Sequence, residues 1–294
     1  MANTMFSAGV IGLVFPLWVI SQSGGDDATI GYTLTIAMTV VFFLSPVVGS
    51  LSDILKRRMP FLLVLTLGWT ASTTLIGTWG MNSSLLLILI ALVSIQLANI
   101  FYNALLGDLS KDGNAGLIGG VGIGLGYIGA ITAVLLSLFL LKDGGHVNLF
   151  RLMGFCSLLF TVPLLAVGRY KVGSINGSLF ADVLGETLRK IKSSFQRSAT
   201  NPDWIRFLIS RFWYLWAVNA ASSFAVLYAV QTVNMSETEV QMILIIGIAT
   251  GIPMGAIWGW IVDKIGASTV LKANIAGWVL LLGIAAAIPL MKWP

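Results

Sequence analysis

Charge is the scarcest property of this chain. Only 10% of its 294 residues are charged, whereas soluble domains carry about 25%. Cysteine and histidine occur once each, as Cys156 and His146. A single cysteine excludes an internal disulfide and a cysteine metal site, and without a His–Cys–carboxylate cluster zinc chemistry is not expected. The sequence therefore predicts neither a soluble domain nor a bound metal.

Apolar sequence is what the chain has instead, at 57% of its residues. It comes in runs of about 20 residues, the length that spans a bilayer as a helix. Helices are expected because backbone polar groups find no water in lipid, and the runs do not alternate as barrel strands would. The predicted fold class is an all-α polytopic membrane protein with about nine spans, near residues 4–20, 29–51, 61–80, 85–106, 117–141, 149–167, 204–231, 240–262 and 270–291.

The net charge of +5 is distributed by loop. Eleven of the 17 basic residues fall on alternate loops: Lys56, Arg57, Arg58, Lys111, Arg169, Lys171, Arg189, Lys190, Lys192, Arg197 and Lys264. Of the basic residues, the opposite loops carry only Lys142 and Lys292. Cytoplasmic loops are enriched in Lys and Arg. We therefore expect the amino terminus in the cytoplasm, in a cell inner or plasma membrane, and no nucleic-acid partner. Trp18, Trp79, Trp204 and Trp293 lie near span ends and fit an interfacial belt.

One short motif occurs twice. Gly49-Ser-Leu-Ser-Asp53 closes the second apolar run, and Gly259-Trp-Ile-Val-Asp263 closes the eighth. Both copies are followed by basic residues, at a predicted boundary between membrane and water. Because secondary transporters are often built from repeated bundles that rock about a central site, the duplication predicts two related halves around a solute pocket.

A polar stretch separates six predicted spans from three. We place an N-terminal six-helix half at 1–169, a cytoplasmic linker with an amphipathic helix at 170–203, and the first three helices of a C-terminal half at 204–294. The linker helix suits the lipid headgroup layer, and a solvated linker explains it equally well. Counterparts of the fourth to sixth spans are missing, so we expect a fragment of a twelve-helix fold.

The repeated motif resembles the loop motif of the major facilitator superfamily. The first copy departs from the family pattern, with Ile54 and Lys56 where a base and a glycine are usual. Closer still, three segments are similar to the autophagy-related vacuolar amino-acid effluxer family and its bacterial relatives: Ala2-Asn-Thr-Met-Phe-Ser7 with Phe15-Pro-Leu-Trp18, Phe101-Tyr-Asn-Ala-Leu-Leu106, and Gly124-Leu-Gly-Tyr-Ile-Gly129. This resemblance implies twelve helices and secondary transport, with amino acids as cargo.

Two acids of the family pattern have no counterpart in this chain. The Tyr-Asp-Phe that usually precedes the Ala-Asn of helix 1 is absent. Relatives often carry Tyr-x-Asp-Gly in helix 7, where Tyr214 is followed here by Leu215, Trp216 and Ala217. Both acids would be candidates for proton coupling, so the coupling ion stays open.

A charged latch is the functional hypothesis for the repeated motif. It would consist of Asp53, Arg57, Arg58, Asp263 and Lys264. The acids stand at helix C-termini, where the macrodipole disfavours an anion, and the neighbouring bases are expected to offset that cost. The alternative is that these residues end helices and mark topology.

Polar residues within two apolar runs are the candidate solute contacts. Gln96, Asn99 and Asn103 share one face of the fourth span, where amides either bind solute or hold helices together. Arg211 lies inside the seventh span with Tyr214 one turn on. A guanidinium there either binds a carboxylate or extends to the membrane surface.

Transport of a small polar solute is the leading functional hypothesis. Gly124-x-Gly126-x-x-Gly129 imitates a dinucleotide fingerprint, but no strand precedes it, so no cofactor is expected. No nucleophile–base pair supports an enzyme. The alternative is a non-transporting receptor-like or scaffold module that keeps the fold. The expected partners are the solute and membrane lipids, with a monomer if the chain is full length.

Overall fold

The computed structural model describes residues 1–21, 24–55, 58–109, 114–140, 145–167, 185, 187–194, 196 and 200–288. These residues form helices joined by short turns, without a strand among them. The main elements are Ala2–Met5 (α1), the π-helical segment Phe6–Val14, Phe15–Ser21 (α2), Asp27–Leu55 (α3), Arg58–Leu75 (α4), Met81–Leu109 (α5), Ala115–Leu140 (α6), His146–Val167 (α7), Pro202–Gln231 (α8), Glu237–Ile265 (α9) and Ala267–Ala287 (α10).

Seven stretches within these helices are long and apolar enough to cross a bilayer: Ala2–Ile20, Ala28–Ser50, Met81–Leu105, Ala115–Ser137, His146–Pro163, Ile245–Ile265 and Ala267–Ala287. The two further predicted spans also form helices, α4 and α8. Both are more polar, since α4 carries Arg58 and several threonines and α8 carries Arg206 and Arg211. The predicted all-helical membrane fold is confirmed.

The chain divides into two compact units. The first consists of Met1–Asp112 and Gly122–Lys192, and the second of Gly113–Val121 and Ser193–Pro294. The first residues of α6 therefore belong to the second unit. The domain boundaries proposed from the sequence stay a prediction.

The first unit packs around the first membrane helix. The middle of this helix is the π-helical segment Phe6–Val14. Such a geometry is rare and often accompanies functional sites. The ring of Phe6 meets Trp69 edge-on, with centroids 5.3 Å apart. A Cβ atom added to Gly9 would lie 2.6 Å from Cβ of Ala133. Between helices in lipid, such close van der Waals packing is the main source of association.

Hydroxyl side chains are buried along α4. Thr70 and Thr73 are buried, and each hydroxyl donates to a carbonyl one turn earlier at 2.7–2.8 Å. Gly154 of α7 packs against Thr70 and Thr74, and a Cβ atom there would overlap the Thr74 hydroxyl. Because the hydroxyls are satisfied within their own helix, they can be buried without leaving a donor unpaired.

Caps define the helices of the second unit. Asn201 begins α8 by accepting a hydrogen bond from the N–H of Asp203 at 3.1 Å. A capping box between Ser236 and Glu239 begins α9. The backbone N–H and then the hydroxyl of Ser236 donate to Glu239, which lowers the pKa of that carboxyl. Gly266 ends α9 at φ 88°, a conformation that favours glycine.

The second unit buries little apolar surface. In the most apolar part of its spans Ile245–Ile265 and Ala267–Ala287, 6% of the residues are buried, against 44% for Ala2–Ile20 in the first unit. A small number of specific contacts therefore positions its helices.

Two tyrosines connect α8 to α10. Tyr214 Oη accepts from Asn274 Nδ2 at 3.4 Å, and Tyr228 Oη donates to the carbonyl of Ala285 at 2.5 Å. The contacts advance along both helices in the same direction, by about 21 Å on α8 and about 17 Å on α10 at 1.5 Å per residue. The two helices therefore run parallel, as alternate spans of one bundle must.

Candidate functional site

The second motif copy lies on the face of α9 that meets the start of α6. Gly255, Gly259 and Asp263 follow one another at intervals of one turn. Opposite them, the backbone at Gly116 and Gly120 comes so close that a Cβ atom on Gly116, Gly120 or Gly259 would overlap the other helix. The motif glycine is therefore required by close backbone approach.

Asp263 uses this approach to reach the N-terminus of α6. One carboxylate oxygen accepts from the N–H of Gly116 and the other from the N–H of Leu117, each at 2.7 Å. The first four N–H groups of a helix have no partner within it, and the helix dipole favours an anion there. The α6 amino terminus thus compensates the charge that the end of α9 disfavours.

Lys264 was expected to offset the charge of Asp263, but it contacts Trp260. Its ammonium lies 4.2 Å from the ring centroid of Trp260, one turn earlier on α9. Such a cation–π contact at an exposed site contributes about 0.5–1 kcal/mol. Lys264 thus contacts the aromatic surface of its own helix, while backbone N–H groups bind Asp263.

The first motif copy has different surroundings. A Cβ atom on Gly49 would meet nothing within 4 Å. Arg57 and the side chain of Asp53 lie outside the described residues, so the proposed contacts between them stay a prediction. The Arg58 guanidinium donates to the carbonyl of Ala104, which ties the start of α4 to the end of α5.

Two of the three predicted amides in α5 bind each other. Asn99 Nδ2 donates to Gln96 Oε1 at 3.2 Å, and Gln96 Nε2 lies 3.8 Å from the sulfur of Met38 on α3. Asn103 continues the same face and is exposed. Met38 also lines an open groove of about 600 Å³ on α3, together with Leu34, Thr35, Thr39, Phe42 and Phe43.

Arg211 and Tyr214 lie on neighbouring positions of α8. Arg211 is exposed and Tyr214 half-buried. The sequence did not predict the contact between Tyr214 and Asn274. In α5, however, an amide inside an apolar run was enough to select a residue as a candidate solute contact. Applied to α10, the same criterion would have selected Asn274.

Among the described residues, no three or more His, Cys, Asp or Glu side chains form a group that could hold a metal ion.

Comparison with known proteins decides the family. A family model described as Major Facilitator Superfamily matches residues 1–294. The chain belongs to the Major Facilitator Superfamily. It is similar to the uncharacterized MFS-type transporter YxiO of Bacillus subtilis (strain 168), at 24% identity over 93% of this chain and 68% of that protein. An uncharacterized protein of Aquifex aeolicus (strain VF5) is 23% identical over 94% of this chain and 67% of its own length. No solved structure gives a significant match.

Membership of the Major Facilitator Superfamily makes this protein a multi-pass membrane transporter. It points to transport and away from catalysis. The narrower resemblance to the amino-acid effluxer family stays a prediction.

Proposed function

We propose that the protein is a secondary active transporter that moves a small polar solute across the membrane by alternating access. Amino acids are the favoured solute class, because the segments near Ala2, Phe101 and Gly124 resemble the amino-acid effluxer family. The amino terminus is assigned to the cytoplasm of a cell inner or plasma membrane by the distribution of basic loops.

The contact between Asp263 and the start of α6 is the observation that supports this mechanism. An anion at an exposed helix N-terminus stabilises by about 0.3–1 kcal/mol. A contact of that strength holds two helix ends together and is still weak enough to break in each cycle. Asp263 is therefore proposed as a latch at the predicted cytoplasmic end. Its hydrogen-bond donors are the backbone N–H groups of Gly116 and Leu117.

Each unit contributes its own candidate solute contacts. In the first unit, the amides of Gln96, Asn99 and Asn103 offer both donors and acceptors. In the second unit, Arg211 offers a guanidinium that pairs with a carboxylate through two hydrogen bonds. Either set by itself suits a polar group of an amino acid.

Counterflow in proteoliposomes tests transport without knowledge of a coupling ion. Liposomes that contain the protein are loaded with a mixture of the common L-amino acids and diluted into a trace of the same mixture in radiolabelled form. We expect transient accumulation of label above protein-free liposomes. Arg211→Gln should reduce it by roughly tenfold or more, because a hydrogen bond to a charged group contributes about 1.5–3 kcal/mol.

Arg206→Gln is the matched control on the same helix. Arg206 pairs with Asp203 at 3.4 Å, and both side chains are largely exposed, so its removal should leave counterflow nearly unchanged. If the unmodified protein accumulates no label, amino-acid transport is contradicted and the receptor-like alternative gains support.

A further inference from the structure

The hydrogen bond between Tyr214 of α8 and Asn274 of α10 has a direction, and that direction determines whether the Tyr214 hydroxyl can donate to another group. Asn274 Nδ2 donates, and Tyr214 Oη accepts, at 3.4 Å. A tyrosine hydroxyl has one proton to donate besides the lone pairs that accept. Because the Tyr214 oxygen already accepts a hydrogen bond from Asn274, the Tyr214 hydroxyl can still donate a hydrogen bond to another acceptor.

Neither group is fully buried. Asn274 is exposed and Tyr214 is half-buried. Asn274 stands seven residues after Ala267, about 10 Å along α10, and Tyr214 stands about 18 Å along α8 at 1.5 Å per residue. Both therefore lie at membrane depth, where a polar group that finds no partner is costly.

Arg211 precedes Tyr214 by three residues on α8. Residues at that spacing occupy adjacent positions on one face of a helix. A guanidinium has only hydrogen-bond donors. Arg211 and the hydroxyl of Tyr214 therefore both act as donors. Together they suit a group with only acceptors, and a carboxylate is such a group.

We infer that Asn274 is a positioning residue, which holds Tyr214 so that its hydroxyl donates to the solute and thereby selects a carboxylate over the corresponding amide. One carboxylate oxygen accepts from Tyr214 and the other from Arg211. An amide has only one acceptor oxygen, so its NH₂ group faces one of these two donors and that hydrogen bond is lost. This inference rests on the proposed transport function and specifies the solute class of one of its contact sets.

Tyrosine Raman spectroscopy tests the direction of the hydrogen bond without any transport. The intensity ratio of the tyrosine Fermi doublet is high when the phenol oxygen accepts and low when the hydroxyl mainly donates. In purified protein, Asn274→Ala should lower the ratio, Asn274→Gln should restore part of it, and Tyr214→Phe should abolish the difference between the Asn274 variants. A rise in the ratio with Asn274→Ala, or no change, overturns the inference.

Counterflow of the radiolabelled amino-acid mixture tests the selectivity. Unlabelled L-alanine and L-alaninamide are added separately as competitors. Loss of a neutral hydrogen bond changes affinity by roughly two- to tenfold. Asn274→Ala should therefore reduce the preference for the carboxylate competitor by about that factor, and Asn274→Gln should recover part of it.

Asn219→Ala is the matched control. The Asn219 amide donates to the carbonyl of Leu215 in its own helix at 2.7 Å, so its removal should leave both the doublet ratio and the competitor preference unchanged. If the unmodified protein shows no counterflow, the transport proposal fails, while the Raman result still decides the role of Asn274. Flux with an unaltered preference in Asn274→Ala contradicts the inference alone.

Discussion

At the scale of single residues, Asp263 shows how an exposed acid at a helix C-terminus is accommodated. The carbonyl end of α9 disfavours its charge, and no base in the described part of the chain is recorded within ion-pair distance of it. Two N–H groups at the start of α6 bind it instead, each at 2.7 Å. The compensation comes from backbone dipoles, so the lysine next to Asp263 is free to contact Trp260.

Asp263→Asn should accelerate amide exchange at Gly116 and Leu117. An asparagine keeps a single acceptor oxygen, so at least one of the two N–H groups loses its partner. For about 1 kcal/mol of lost stabilisation, exchange should become about fivefold faster. Hydrogen–deuterium exchange of a peptide that covers residues 114–121 measures this effect.

Lys264→Ala serves as the control for that measurement. It removes the neighbouring charge and the contact with Trp260 but leaves both hydrogen bonds of Asp263 in place. Faster exchange in Lys264→Ala, with no change in Asp263→Asn, would show that the lysine and not the acid protects the start of α6.

At the scale of elements, glycine spacing determines which helices approach closely. Gly255 and Gly259 of α9 face Gly116 and Gly120 of α6, and each pair is separated by one turn. This arrangement corresponds to the small-xxx-small pattern that lets membrane helices pack backbone against backbone. Only this approach brings Asp263 within hydrogen-bond distance of α6.

Gly259→Ala should destabilise the contact between α6 and α9. The added methyl group would overlap the backbone of Gly116, and overpacking of this kind costs about 1–3 kcal/mol. Thermal unfolding in detergent should show a lower melting temperature, and exchange at residues 114–121 should become faster.

Gly247→Ala is the matched substitution in the same helix. A Cβ atom there meets nothing within 4 Å, so the higher helix propensity of alanine should leave stability unchanged or slightly raised. Equal effects of the two substitutions would mean that helix propensity, and not the contact with α6, governs the response.

At the scale of the whole molecule, the alternation of basic loops predicts which side of the membrane each loop faces. The turn between α8 and α9 contains Val233 and carries little positive charge, while the segment before α8 is rich in Lys and Arg. The parallel course of α8 and α10 agrees with three successive crossings. The two loops should therefore face opposite sides of the membrane.

Cysteine labelling in intact cells checks this arrangement. In a Cys156→Ser background, a membrane-impermeant maleimide should label Val233→Cys, and Ser194→Cys should react only after the membrane is permeabilised. Both positions are exposed, so differences in burial do not explain the result. The reverse pattern would place the amino terminus outside.

The membrane helices were predictable because each one satisfies its own backbone hydrogen bonds and needs only a run of apolar residues. The superfamily was also predictable, through the repeated Gly-x-[Leu/Ile]-x-Asp motif. The pairing of Gln96 with Asn99 follows from their spacing on one helix, because residues three apart are neighbours in space.

The interfacial belt of tryptophans stays a prediction. Trp79 and Trp204 are exposed near helix ends, and Trp293 lies outside the described residues. Trp18 also lies near a helix end, but it is buried, and its ring meets Phe150 edge-on at 6.2 Å. Sequence position gives the depth of a side chain along a helix and does not give the neighbour on its face.

The sequence alone therefore determined what depends on one helix at a time, namely the membrane spans and the polar residues that share a face of each span. Only the tertiary structure decided the contacts between helices. It brought Asp263 to the amino terminus of α6 and Asn274 to Tyr214, residues far apart in the chain. The physical reason is that a hydrogen bond needs two groups about 3 Å apart, and the distance between separate helices is set by packing.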